Sequence, residues 1–262
     1  MIKLSPISVK KILKRLFFGA LILWGSSLIL VIALRFIPVY FTPLMLIKAV
    51  TPGYGIDHEW VPIEKISKHM QKAVVRSEDA KFYMHYGFDF EAIKKAQEYN
   101  KRHKKKKGAS TISQQTAKNV FLWPSRTYIR KGFEAYFTIL LELFWSKERI
   151  MEVYLNVVEL GPGVYGVEAA SKKFFKKSAS KLSLSEAALL TAVLPNPIKL
   201  KVGRPSAYVL KRQSQIVGRI NQPVEPVVDD EFFEIKSDDD QDESSSDQQN
   251  GDETELGDLL TQ

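Results

Sequence analysis

Two adjacent carboxylates, Glu78 and Asp79, stand in the stretch RSEDAKFYMHYGFD, with Phe82, Tyr83, His85, Tyr86 and Phe88 close behind them. Like charges repel, and apolar neighbours disfavour the charged form of each. A carboxylate in such company is expected to carry a raised pKa, which suits a general acid or base. The same pair on a solvated helix needs no special role, so this stretch alone does not decide between chemistry and structure. His85 among rings reads first as a hydrogen-bonded supporting residue. The other three histidines, His58, His69 and His103, show no metal-ligand spacing.

Further polar chemistry follows in KRHKKKKGASTISQQTAKNVF. The positive run Lys101–Lys107 fits a solvated loop or a surface that attracts anionic lipid or phosphate. Ser110, Thr111, Ser113, Gln114 and Gln115 crowd hydroxyls and amides of the kind that orient sugars, and a helix start at this point would present backbone N–H groups to phosphate. The Gly-Lys-Ser/Thr ending of a P-loop is missing, and Ser110 also fits an ordinary N-cap. Lys118, Arg126, Arg130 and Lys131 then supply cations able to hold a pyrophosphate. Glu134 adds a second carboxylate, and two carboxylates flanking an anomeric carbon serve glycosyl chemistry. The sequence leaves the separation of Glu78 and Glu134 open.

The elements that must position these groups read as mostly helical between about Ile56 and Ile220. Ile63, Ile66, Met70, Ala73 and Val74 recur at helical spacing before Glu78. Ile150, Val153, Tyr154 and Val157 repeat the pattern, with Gly161 as the expected helix stop. Ser183 and Glu186 form a capping box ahead of an apolar helix that closes at Pro195 and Pro197. Strand signals are sparse.

The flanks differ sharply from this body. Within 262 residues of formal net charge +8, residues 223–262 carry 15 Asp and Glu against one Lys, and the remainder carries 37 Lys and Arg against 15 Asp and Glu. The body is strongly basic. The low-complexity acidic tail lacks the apolar surface to offset chain entropy and is expected to be disordered. The absence of cysteine excludes disulfides, thiol catalysis and thiolate zinc sites. Leu16–Leu34 is 19 residues without a charge, about 28 Å as a helix and close to the thickness of a bilayer core. Lys3, Lys10, Lys11, Lys14 and Arg15 precede it, which places the N-terminus in the cytoplasm and everything after Arg35 outside. The run exceeds a signal-peptide core and no A-x-A site follows, so it reads as a signal anchor. The expected organisation is a basic N-terminus (1–15), a transmembrane anchor (16–35), a proline-broken membrane-proximal linker (36–55), a catalytic domain (56–222) and the acidic tail (223–262).

Taken in order, five blocks resemble the membrane-anchored peptidoglycan glycosyltransferases of family 51, in their monofunctional biosynthetic form. EDAKFYMHYGFD, GASTISQQTAKN, RKGFE, KERIMEVYLNVVELGPGVYGVEAA and SEAALLTAVLPNP are similar to that family's motifs, with Ala109 where the family has Gly and Ser113 where it has Thr. The resemblance implies a mainly α, lysozyme-like helical domain with a small membrane-facing lobe, preceded by one transmembrane helix. It implies polymerisation of lipid II at the outer face of a bacterial cytoplasmic membrane, with inversion at C1 and release of undecaprenyl pyrophosphate. Glu78 would be the general base and Glu134 would act at the donor side. Asp79 and His85 would support them. Ser110, Thr111, Gln115, Lys118, Asn119, Arg126, Arg130 and Lys131 would bind substrate. The implied partners are lipid II, lipid-linked glycan, the bilayer, and cell-wall synthesis and division proteins, with no nucleic acid. Any Mg²⁺ or other divalent cation would be shared with the substrate pyrophosphate rather than held in a dedicated cage. A lysozyme-like glycan-cleaving hydrolase and a membrane-tethered, non-enzymatic polymer-binding module are the alternatives.

Overall fold

In the computed structural model, residues 9–51, 54–104, 106–125, 127–220 and 222 are described. The acidic tail and Arg126 lie outside these residues.

Helix α1 (Val9–Leu34) carries the uncharged run. Among the described residues it is the one helix long and apolar enough to cross a bilayer, and little of it is buried within the protein. Proline then shapes the linker into a short helix, α2 (Pro43–Ala49), with Pro43 in its first turn and Thr42 Oγ1 accepting the Met45 N–H. Pro at the first helical position costs nothing, because that N–H has no intrahelical partner.

The domain is built from helices α3 (Lys68–Glu78), α4 (Phe90–Arg102), α5 (Ile112–Phe121), α6 (Tyr128–Phe144), α7 (Lys147–Val157), α8 (Val167–Phe175), α9 (Leu184–Ala192) and α10 (Ala207–Ile220). Two groups of helices meet at the site. Helices α3, α9 and α10 pack together, and α5 packs between α6 and α7. Ile112, Leu141, Ile150, Met151, Tyr154 and Leu155 are fully or almost fully buried in the second group, and Met70, Ala73, Val74, Leu190, Val209 and Ile216 in the first. The Ser183 capping box opens α9 as its sequence predicts, with Glu186 returning to the Ser183 N–H.

One expectation fails in this region. Gly161 does not stop α7, which ends at Val157. The next residues form β2 (Glu159–Gly161), which pairs antiparallel with β3 (Val164–Tyr165), while β1 (Asp57–His58) joins β3 in parallel. The small sheet, ordered β1-β3-β2, ties the segment after the linker to the end of α7. It depends on Gly163, whose φ is +69° and where a Cβ would come within 2.4 Å of the Gly55 carbonyl oxygen.

Candidate active site

Glu78 is the last residue of α3, where the helix dipole disfavours a negative charge. Its compensation comes from α5 and α10. Gln115 Nε2 donates to Glu78 Oε2 at 3.1 Å, Ser77 Oγ donates to Oε1 at 3.2 Å, and Arg212 Nη2 lies 3.4 Å from Oε1. Polar partners from α5 and α10 thus reach this carboxylate. Phe82 is buried in the core beneath the Lys147 ammonium, 4.6 Å from its ring centre, and Tyr83 and Tyr86 lie at the surface.

Asp79 has a different task. Its Oδ1 and Oδ2 lie 2.9 and 3.1 Å from His85 Nε2, and Oδ2 accepts the N–H of Ile112, the first residue of α5, at 3.0 Å. One buried carboxylate thus joins the C-terminus of α3 to the N-terminus of α5, satisfying a donor that no helix can satisfy internally. Thr111 caps the same end. Its Oγ1 accepts the Gln114 N–H and donates to the Gly87 carbonyl at 2.7 Å. Thr111 is buried, and its hydroxyl is engaged within the protein. Ser110 is exposed and is not the N-cap. Asn119 is buried within α5. Gly87 has φ +84°, and a Cβ there would come within 2.7 Å of Thr138 Cγ2.

Helix α5 carries Gln115 and Lys118 on one face, three residues apart. Opposite Lys118 stands Glu134, buried in α6. Arg130 Nη1 donates to Glu134 Oε2 at 2.7 Å and Lys131 Nζ bonds Oε1. Lys118 is exposed on α5, with Glu134, Arg130, Lys131 and Glu78 as the charges that act on it. Desolvation pushes its ammonium below the ordinary lysine value of 10.5. Glu134 and Glu78 pull it back up, while Arg130 and Lys131 push it further down. Both carboxylates therefore act on one cation.

Residues 46–221 match the profile of the Transglycosylase family. The chain belongs to that family. It is 55% identical over 236 residues to the biosynthetic peptidoglycan transglycosylase of Bdellovibrio bacteriovorus, covering 87% of this chain and 94% of that protein. It is 52% identical over 221 residues to the protein of the same name from Bacteroides thetaiotaomicron, covering 82% and 89% of the two chains. A third, from Caulobacter vibrioides, is 52% identical over 209 residues, 79% of this chain and 91% of its own length.

Two further residues touch the candidate site: Arg212, which the sequence did not single out, and Tyr154, whose helix face was expected to support the cleft. Arg212 is fully buried on α10. Burial lowers its pKa, and the Glu78 charge and a hydrogen bond with Tyr208 act against that. The signal was present in the sequence, because Arg212 falls in line with the buried Val209 and Ile216, on a helix face that is otherwise apolar. Tyr154 is buried on α7 and its hydroxyl donates to Gln115 Oε1 at 3.3 Å. Burial, then the charges of Glu78 and Asp79, push that phenol well above its ordinary value, so it remains a donor. Gln115 is thereby oriented, with its carbonyl facing Tyr154 and its amide facing Glu78.

Proposed function

We propose that this chain polymerises lipid-linked disaccharide into peptidoglycan strands. It is membrane-anchored, with its N-terminus in the cytoplasm and its transglycosylase domain at the outer face. The observation that carries this reading is geometric, in a chain of this family: α5, which bears Lys118, also bears the Gln115 that bonds Glu78, and Glu134 is held by Arg130 and Lys131.

Glu78 takes the proton from the 4-hydroxyl of the acceptor lipid II. The freed oxygen attacks C1 of the terminal N-acetylmuramic acid of the growing strand, from the side opposite the leaving group. The bond from C1 to the lipid diphosphate breaks, its electron pair stays on the diphosphate oxygen, and C1 is inverted. Lys118 stabilises the charge that develops on that oxygen. A cation already in place where charge develops needs little reorganisation. Arg130 and Lys131 hold Glu134 and add positive potential on the donor side. Arg126 is assigned the same role by its position in the sequence. Ser110 and Gln115 contact sugar hydroxyls at the groove wall.

A hydrolase acting on finished glycan would expel a sugar hydroxyl and would gain little from a cation cluster beside its second carboxylate. Among the described residues no group of three or more His, Asp or Glu side chains is set to hold a metal, and both Glu134 oxygens already bond to Arg130 and Lys131. These residues do not fit a dedicated metal cage, so a divalent cation would be held by the substrate diphosphate. The deciding experiment supplies purified protein with lipid II in vesicles. Glycan polymer is expected, and shortening of preformed glycan with no polymer would overturn the reading.

A further inference from the structure

The last turn of a helix leaves carbonyl oxygens with no intrahelical partner, and within a bilayer each unsatisfied group costs several kcal/mol. At the end of α1 every such oxygen from Val31 to Leu34 has a partner, but two of the partners come from the catalytic domain. Arg35 N–H bonds the Ile32 oxygen, and the N–H groups of Phe36 and Ile37 bond that of Ala33. The Val31 oxygen instead accepts the indole N–H of Trp145 at 2.8 Å, and the Leu34 oxygen accepts Arg149 Nη2 at 2.8 Å. The same Arg149 nitrogen reaches the Ile37 oxygen at 2.6 Å. The guanidinium lies 5.2 and 5.8 Å from the ring centres of Trp60 and Trp145 and pairs with Glu152, whose other oxygen accepts the Ile63 N–H. Higher up the anchor, Ser27 Oγ and Tyr136 OH of α6 are 2.8 Å apart.

From Ser27 to Leu34 the domain is in contact with about 10 Å of the anchor, roughly the last third of the span that crosses the bilayer core. Helix α6 consequently meets the outer leaflet, and its exposed apolar residues Ile129, Phe133, Ile139 and Leu143 suit that level. A flexible tether would leave the cleft free to tilt against the membrane. An anchor capped by the domain's own side chains cannot tilt independently of it.

We infer that Arg149 and Trp145 are positioning residues for the membrane-borne substrate: they lock the transmembrane helix to the catalytic domain and so fix the height and tilt of the cleft over the bilayer. This rests on the lipid-linked substrate proposed above. The bonds of Arg149 go to the anchor end and Glu152, and that of the Trp145 indole to the anchor, so their effect on turnover passes through the anchor.

The test uses the full-length protein and two readouts. The chain has no cysteine, so Ile129→Cys gives a single label for a fluorophore at the far end of α6, about 24 Å along that helix from Trp145. Its depth is read by quenching in phosphatidylcholine–phosphatidylglycerol vesicles brominated at defined acyl positions. Turnover is measured in parallel on long-chain lipid II in unbrominated vesicles and on a short-chain, water-soluble analogue. Arg149→Ala is expected to shift the quenching profile and raise KM for the vesicle substrate about tenfold, with turnover of the soluble analogue within twofold of the parent. Trp145→Phe, which keeps a ring and removes only the indole donor, is expected to move both readouts the same way by a smaller factor. It carries the test if Arg149→Ala does not fold. An unchanged depth profile, or equal losses on the two substrates, would overturn the inference. The depth readout involves no catalysis, so failure of the enzymatic reading, seen as a parent protein inactive on both substrates, is distinguished from failure of the clamp.

Discussion

Arg212 Nη2 lies 3.4 Å from Glu78 Oε1, and the arginine side chain is wholly buried. Burying such a pair requires desolvating both ions, and removing one partner leaves the other uncompensated. Arg212→Met is therefore expected to cost about 3–5 kcal/mol of stability. Adding Glu78→Gln to it should recover more than half of that loss, because no lone charge then remains. Thermal or urea unfolding of the two single variants and the double variant measures the coupling. Equal stability of Arg212→Met and the double variant would show that the pair is not energetically linked.

Glu78→Gln alone should still fold, since Gln keeps the volume of the side chain and can meet Gln115 and Ser77, but with lowered stability because the buried Arg212 loses its carboxylate. Without the carboxylate the acceptor hydroxyl has no base, and polymerisation should fall by about 10²- to 10⁴-fold. Gel analysis of glycan product, with circular dichroism of the same sample, reports both halves. Near-parental turnover would remove Glu78 from the role of base.

Lys118 sets a pH dependence. Its folded pKa lies below the ordinary 10.5 of lysine, with burial the leading cause. The alkaline limb of kcat/KM is expected below that ordinary value, where Lys118 loses the proton that stabilises the leaving group. Because the Glu134 charge raises this pKa, Glu134→Gln should move the limb to still lower pH. The stability linkage has the opposite sense from that of a salt-bridged lysine. Between the folded and unfolded pKa values the unfolded chain binds more protons, so this group's contribution to stability rises with pH and its penalty is fully present below the folded value. Lys118→Met should accordingly stabilise the protein near neutral pH while abolishing most polymerisation. A melting temperature unchanged or lower, with activity lost, would contradict the desolvation argument.

Tyr154→Phe tests the orientation of Gln115. The variant removes one buried hydroxyl and frees the Gln115 carbonyl, so a stability loss of about 1–3 kcal/mol is expected. Turnover should drop several-fold with KM nearly unchanged, because the substrate itself is not contacted. A change confined to KM would place the phenol in the binding groove instead.

Gly87→Ala probes the turn that supports the start of α5. With φ at +84° and Thr138 Cγ2 2.7 Å from the new methyl carbon, both backbone strain and a clash oppose it. A loss of about 1–3 kcal/mol is expected, together with reduced activity, since the Gly87 carbonyl accepts the hydroxyl that caps α5. Thermal unfolding and polymer yield, measured together, check it.

Much of this was legible in the amino-acid sequence, because the information was local. An uncharged run long enough to span a bilayer, a Ser183–Glu186 capping box and helical spacing of apolar residues each depend on neighbours within a turn or two. The ordered motif blocks were enough to mark Glu78, Lys118 and Glu134 as residues to watch. What only the tertiary structure decided was contact between segments far apart in the chain. Gln115 of α5 and Arg212 of α10 reach Glu78 from far along the chain, and nothing in the residues beside it announces them. Asp79 proved to bridge two helices, Thr111 was turned inward, and Arg212 emerged 134 residues from its partner. Helix periodicity says which face of a helix is buried, but not which other helix that face meets. A buried charge acquires its meaning only from the charge packed against it.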